Sequence, residues 1–175
     1  MTSAEYPGAF WIGAHRSNYT WAQRDGFSRI VAHCTDGHAV AQDTAAMWTQ
    51  PGHKSSCHFV IGQDGTVVQS VSIYDIAWHA HHLVNATSVG IEHCARTPGE
   101  LSRTDPGMRP SEIQLAASAK LCAWLLELAG KSADRTTIVG HAEADTETTH
   151  SLCPVGSGFD LDAYANRVRA LSQGV

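Results

Sequence analysis

No stretch of this chain approaches the ~18 consecutive apolar residues that a membrane-spanning helix needs. An excess of positive charge is also missing. The formal net charge is −5, so nucleic acid would find no electropositive face to bind. Met1 to Pro7 has neither a basic stretch nor an apolar one behind it, and no secretory signal is expected. Internal repeats, low-complexity tracts and linker-like runs are absent too. Charged residues make up only 17% of the 175 positions, against 43% hydrophobic, which suits one domain with a sizeable core. Cysteines are few and odd in number: five, at 34, 57, 94, 122 and 153. That spacing lacks the look of a disulfide framework and suits a reducing compartment. Cys122 falls among Ala and Leu on a helical face and reads as a small buried hydrophobe. Cys34, Cys57 and Cys94 read the same way, although the sequence leaves a disulfide among them open.

The patterning that is present predicts interleaved strands and helices. Residues 1–27, rich in Gly, Pro, Asn, Ser and Trp, read as an irregular lead-in packed on a domain of residues 28–175. Residues 28–33 read as a strand. Residues 38–50 read as a helix with Val40, Ala41, Thr44, Ala45 and Trp48 on one side, ended by Pro51-Gly52. Two β-rich runs, 56–61 and 67–71, flank the turn signal Gln63-Asp64-Gly65. A short extended segment is expected at 77–81. Residues 88–94 read as a strand with Val89, Ile91 and His93 on one face and Gly90, Glu92 and Cys94 on the other. Pro110-Ser111 opens a long helix, with Ser111 and Gln114 at capping-box spacing and Leu115, Cys122 and Leu126 as its buried stripe. A strand at 136–139 and a last helix capped by Asp160 complete the pattern. The expected fold class is therefore mixed α/β, a single domain with a central mixed sheet flanked by helices. The five tryptophans lie at 11, 21, 48, 78 and 124. Trp124 reads as core, and some of the others as cleft lining.

Histidine is abundant, with eleven residues. Most are ordinary, but two stand out by position. His33 ends the apolar run Arg29-Ile30-Val31-Ala32, and His141 follows Val139-Gly140, with Cys153-Pro154 twelve residues later. Two imidazoles and a thiolate form a three-ligand zinc set. Catalytic zinc typically has about three protein ligands and an open fourth position, whereas structural sites are closed. The set points to zinc-dependent hydrolysis.

Five stretches, in order and spacing, give this chain a family resemblance. They are Ile30-Val31-Ala32-His33-Cys34-Thr35; Ser56-Cys57-His58-Phe59-Val60-Ile61 with Asp64-Gly65-Thr66-Val67-Val68-Gln69; Ala77-Trp78-His79-Ala80; Ser88-Val89-Gly90-Ile91-Glu92; and Val139-Gly140-His141 with Cys153-Pro154. The chain resembles the type-2 N-acetylmuramoyl-L-alanine amidases, which share a fold with peptidoglycan recognition proteins and phage zinc amidase lysozymes. The resemblance implies a peptidoglycan-recognition-protein-like fold. It implies Zn2+ held by His33, His141 and Cys153, and Glu92 as catalytic carboxylate. The implied reaction is hydrolysis of the amide between N-acetylmuramic acid and L-alanine in peptidoglycan or a muropeptide. Slim Gly90 on the Glu92 face suggests that substrate can approach there. Trp78 and His79 are expected to line the substrate cleft. Where many relatives carry a lysine that steadies the oxyanion, this chain has Ser151 preceded by His150, and His150 or Ser151 is the expected replacement. Among Glu143, Asp145 and Glu147, one carboxylate could compete with Cys153 as ligand, but Cys-Pro is the better match. The expected working form is a monomer. The expected setting is a phage lysin made in the cytoplasm and acting on the cell wall, with a cytoplasmic recycling enzyme as the alternative.

Two rival readings remain. His79-Ala80-His81 on a strand would aim both rings one way and, with His33, could build the zinc site of a cross-link peptidase. That leaves His141 and Cys153 unexplained. Alternatively, the chain could hold muropeptides without cutting them, but such modules typically lack the full ligand set.

Overall fold

In the computed structural model, which describes residues 3–173, the expected irregular lead-in already carries two short strands, Phe10–Trp11 (β1) and Tyr19–Thr20 (β2). Positions 1–2 and 174–175, the outer ends of the two expected segments, lie outside the described residues. The remaining strands are Arg29–Cys34 (β3), Phe59–Ile61 (β4), Val67–Gln69 (β5), Ile76–Ala77 (β6), Ser88–His93 (β7) and Ile138–Gly140 (β8). The helices are Ala41–Trp48 (α1), His82–Thr87 (α2), Glu112–Leu128 (α3), His141–Ala144 (α4) and Leu161–Ser172 (α5).

Six strands form one mixed sheet in the order β1-β5-β4-β7-β3-β8, and β2 pairs with β6 in a separate ladder. Only the β4–β5 hairpin is antiparallel in the large sheet. Its turn is closed by the Gly62 amide donating to the Thr66 carbonyl, with Gly65 at φ +82°, a conformation glycine adopts without steric cost. The lead-in is thus not merely packed on the domain: β1 extends the sheet beside β5, and β2 closes over β6.

Helices α3 and α5 cover one face of the sheet. Ile30, Ala32, Val89, Ile91 and Ile138 meet Leu121, Leu125, Leu126, Tyr164 and Val168 there, all buried. Each Ile, Leu or Val among them contributes about 1.5–3 kcal/mol relative to exposure. The buried stripe of α3 differs from the expected one. Gln114 and Ser118 are fully buried while Leu115 is half-buried. Gln114 donates to the carbonyls of Ile61 at 2.7 Å and Cys94 at 3.3 Å, and Ser118 bonds His93 Nε2 and the Tyr164 hydroxyl, both at 2.7 Å. Hydrogen-bonded polar groups can be buried at modest cost. The expected capping box is therefore half present: Ser111 Oγ accepts from the Gln114 amide, but the Gln114 side chain turns inward.

Helix α1 packs on the other face through Ala41, Ala45 and Trp48 against Val60 and Val68. Val40, expected on its buried side, is the exposed residue at the helix start. Where α1 gives out, the ends of β3 and β7 lie open and form the floor of a cleft. All five cysteines are free and buried. Among the described residues no helix is long and apolar enough to cross a membrane.

Candidate metal centre and active-site cleft

Parallel pairing sets the cleft. β3 lies between β7 and β8, with His33 opposite Glu92 and Ala32 opposite Gly140. Directly opposed residues of a parallel pair point to the same face, so His33 and Glu92 share the cleft floor. His141 follows Gly140 as the first residue of α4. Gly140 has no room for a side chain: a Cβ would come within 2.9 Å of both Leu161 and Pro154. That absence lets the Cys153-Pro154 loop press onto the end of β8, and the Ala142 amide of α4 donates to the Cys153 carbonyl at 3.0 Å.

The outcome is a cluster. One donor atom each from His33, His141 and Cys153 lies within 4.8 Å of the others, and all three residues are buried. The donor chemistry fits a cation. Burial, then neighbouring His79 and His141, hold the His33 pKa well below its usual value, and burial, then His150, lower that of His141. Both imidazoles are therefore neutral with a lone pair to give. A hydrogen bond with the Cys34 thiol, then burial, raises the Cys153 pKa, while the Cys34 amide points at its sulfur from 3.3 Å. Such a thiol ionises when a cation arrives.

Glu92 is half-buried as a residue, but its Oε2 is wholly enclosed and has no hydrogen-bond partner. Burial first, then the nearby Asp36 carboxylate, raises its pKa to about 8. An unpaired buried carboxyl oxygen beside three metal-capable donors is an acceptor waiting for a partner. Asp36 itself is held by the Thr97 amide at 2.7 Å. Neither Asp36 nor the contact of Cys34 with Cys153 was foreseen. Asp36 stands three residues beyond His33, and that proximity was the available signal.

His79 lines the cleft with Trp78, but its ring nitrogens are engaged. The Ser88 hydroxyl donates to the Val84 carbonyl at 2.7 Å, so toward His79 Nε2, 3.3 Å away, it acts as acceptor. His79 Nε2 then carries the proton, and Nδ1 accepts from His33 Nε2–H at 3.0 Å. The chain of donors leaves His33 Nδ1 as the free lone pair. The space above Gly90, expected to be open for substrate, is filled by this same ring: a Cβ there would meet His79 at 2.6 Å and Cys57 Sγ at 2.7 Å. Gly90 makes room for His79, not for substrate.

The His-x-His site of the rival peptidase is not formed. β6 ends at Ala77, α2 begins at His82, and the intervening residues turn instead of extending. His81 is half-buried, with its amide donating to Asp145 Oδ2 at 2.9 Å, while His82 is exposed. Of the competing carboxylates, Glu143 pairs with Arg135 at 2.6 Å and accepts from the Gly140 amide at 2.8 Å. Asp145 sits 3.8 Å from His141 Nε2, beyond hydrogen-bond distance but near enough to attract its charged form. Glu147 is exposed. His150 is exposed on the cleft rim and stacks on His141, with ring centroids 5.7 Å apart.

Two neutral imidazoles, a thiol and an unpaired carboxyl converging at parallel strand ends form a candidate metal site of hydrolytic type. Comparison with known proteins adds the family. Residues 23–156 match the model of the N-acetylmuramoyl-L-alanine amidase family, and the chain belongs to it. N-acetylmuramoyl-L-alanine amidase A of Achromobacter lyticus is 32% identical over 96 residues, 54% of this chain and 51% of that protein. The chain thus spans about half the length of this curated relative. Among solved structures, a mutant endolysin from Bacillus subtilis superposes with TM-score 0.70 at 20% identity, over 91% of this chain and 97% of that one. A selenomethionine derivative of AmpD gives 0.68 at 22% identity, over 98% and 99%. These likenesses establish the mixed α/β fold.

Proposed function

We propose that this chain hydrolyses the amide between N-acetylmuramic acid and L-alanine in peptidoglycan, with zinc held by His33, His141 and Cys153. The observation that carries this reading is the enclosed, unpartnered Glu92 carboxyl opposite His33, within the same cleft as the His-His-Cys cluster. When bound, zinc supplies a Lewis acid for the scissile carbonyl and lowers the pKa of water toward neutrality. Glu92 takes the proton of the attacking water and returns it to the departing alanine nitrogen. Trp78 and the cleft rim orient the muropeptide. The test uses a soluble muropeptide. Zinc-loaded protein should release free N-acetylmuramic acid and a peptide with amino-terminal alanine. Binding without cleavage would instead establish a muropeptide-binding module.

His79 acts behind the ligand. By holding the proton on His33 Nε2, the His79–Ser88 chain presents Nδ1 to the metal, as outer hydrogen bonds commonly do for histidine ligands. His79→Ala should weaken zinc binding about 10- to 100-fold, measured by competition with a chromophoric chelator. Unchanged zinc affinity would return His79 to substrate contact alone.

His150 is assigned the oxyanion donor, in place of the lysine many relatives carry. Its stacking on His141 keeps it at the rim beside the cluster. His150→Ala should lower kcat at least about tenfold with KM little changed. A wild-type kcat would remove it from the mechanism. The absence of a spanning helix among the described residues is compatible with a phage lysin acting on the wall and with a recycling enzyme acting on soluble muropeptides. The lysin is our preferred setting, with the chain working as a monomer.

A further inference from the structure

A second recess lies away from the cleft, with a volume of about 510 Å³. Trp11, Tyr19, Trp21 and Tyr74 line it, together with Arg24 and Asp75, and none of these lines the cleft. Trp21 is 59% exposed and Tyr74 47%. Large aromatic surface left in water within a concave wall is informative in a way that scattered exposed residues are not. Four of the five tryptophans thus line one of two recesses: Trp11 and Trp21 this one, Trp48 and Trp78 the cleft.

The rings are held in place. The Arg16 guanidinium lies 5.3 Å from the Tyr19 ring and 5.7 Å from that of Trp21, bracing both. The Trp11 indole lies against Gly13, where a Cβ would come within 2.9 Å of Nε1. Asp75 Oδ1 accepts from the Ala22 amide at 3.0 Å, and the Arg24 amide donates to the Tyr74 carbonyl at 2.7 Å. The segment bearing Trp21 is thereby tied to the one bearing Tyr74. Ser70, in the same wall, has a buried hydroxyl without a partner. Arg24 is turned toward the main-chain carbonyls of Ile73 and Asn85, which spends its donors inside the protein and leaves little to draw an anion.

Fixed aromatic faces edged by hydroxyl, indole N–H and carboxylate groups match a neutral, hydroxyl-rich ring. The polarised C–H face of a pyranose packs on the negative π face, and its hydroxyls reach the polar rim. The recess also adjoins the cleft. Tyr19 pairs with Ala77 across the β2–β6 ladder, and Thr20 Oγ1 accepts the indole N–H of Trp78, a cleft residue, at 2.9 Å. One two-stranded ladder separates the two. Residues 10–21, which supply β1, β2 and three of the rings, precede the stretch matched by the family model.

We propose that this recess is a saccharide subsite, occupied by the amino-sugar strand of the substrate as it continues beyond the cleft. The choice of glycan rests on the amidase reading, because that substrate carries a sugar polymer on one side of the cleaved amide. The experiment needs no cleavage. Chitotetraose, which has no stem peptide, is titrated into the full chain while the five indole N–H resonances are followed by NMR. Expected are shifts of Trp11 and Trp21, and a Kd raised about tenfold in Trp21→Ala and in Tyr74→Ala. Both residues are exposed, and far-UV circular dichroism checks that each variant folds. No shift at millimolar sugar, shifts confined to Trp48 and Trp78, or undiminished binding by both variants would overturn the subsite. A protein that binds the sugar yet cuts no muropeptide keeps the subsite and loses the amidase reading, so the two failures are distinguishable.

Discussion

Glu92→Gln should lower turnover of a muropeptide by about 10²- to 10⁴-fold, the usual worth of a positioned general acid–base. Zinc stoichiometry should stay at the wild-type value. Glutamine keeps the shape of the side chain and removes only its ability to move a proton. A second consequence separates this residue from a structural one. In the metal-free protein the Glu92 pKa is raised from its ordinary 4.5 to about 8 by burial and Asp36. A carboxyl whose folded pKa lies above its unfolded one favours the fold fully below the unfolded value. That contribution disappears as pH rises through the folded value. Metal-free Glu92→Gln should therefore melt higher than metal-free wild type at pH 8, with the gain shrinking toward pH 4.5. Calorimetry at the two pH values reads it. Equal or lower stability of the variant at pH 8 would mean that Glu92 is a paired structural acid, and turnover near wild type would remove it from the chemistry.

Cys153→Ser should abolish zinc binding at micromolar metal and with it the activity. Serine keeps the size but not the soft, ionisable donor, and a hydroxyl does not become an anion under these conditions. The site around the thiol is built for the ionised form only when a cation is present: Cys34 and burial disfavour the thiolate, and the Cys34 amide is aimed at the sulfur. In wild type, chelation should remove activity and zinc should restore it. Zinc should also raise the melting temperature, because a ligand that binds only the folded state at 1,000 times its Kd stabilises by about 4 kcal/mol. Metal analysis after gel filtration, with melting curves at two zinc concentrations, measures both. A serine variant that retains one zinc at wild-type affinity would exclude Cys153 as a ligand.

Much of the scaffold was legible because its signals are local. The hairpin around Gln63-Asp64-Gly65, the alternation along residues 88–94 and the capped helices α3 and α5 each follow from a few neighbouring residues. His33 and His141 stood out because each ends or follows an apolar strand, and Cys153 because it precedes a proline twelve residues after His141; the structure brings the three together. What escaped the sequence depends on partners far along the chain. β1 and β2 are two residues each, too short for a periodicity, and exist because β5 and β6 offer edges 50 or more positions away. Gln114 and Ser118 of α3 are buried by partners that no local pattern shows, because Ile61, His93 and Tyr164 lie in other elements. Gly90 suggested open space, but the ring that fills it comes from His79, eleven residues earlier on a turn. Position alone identified metal-capable groups; the tautomer of His33 and the environment of Glu92 required the packed structure.

The bond that is cut distinguishes an amidase from a cross-link peptidase. Purified cell wall digested by zinc-loaded protein and analysed by mass spectrometry, with Glu92→Gln as control, tests it directly. An amidase yields glycan free of stem peptides, stem peptides with a new amino-terminal alanine, intact peptide cross-links, and no such products from the variant. New amino termini within the cross-links, or glycan still carrying every stem peptide, would contradict it.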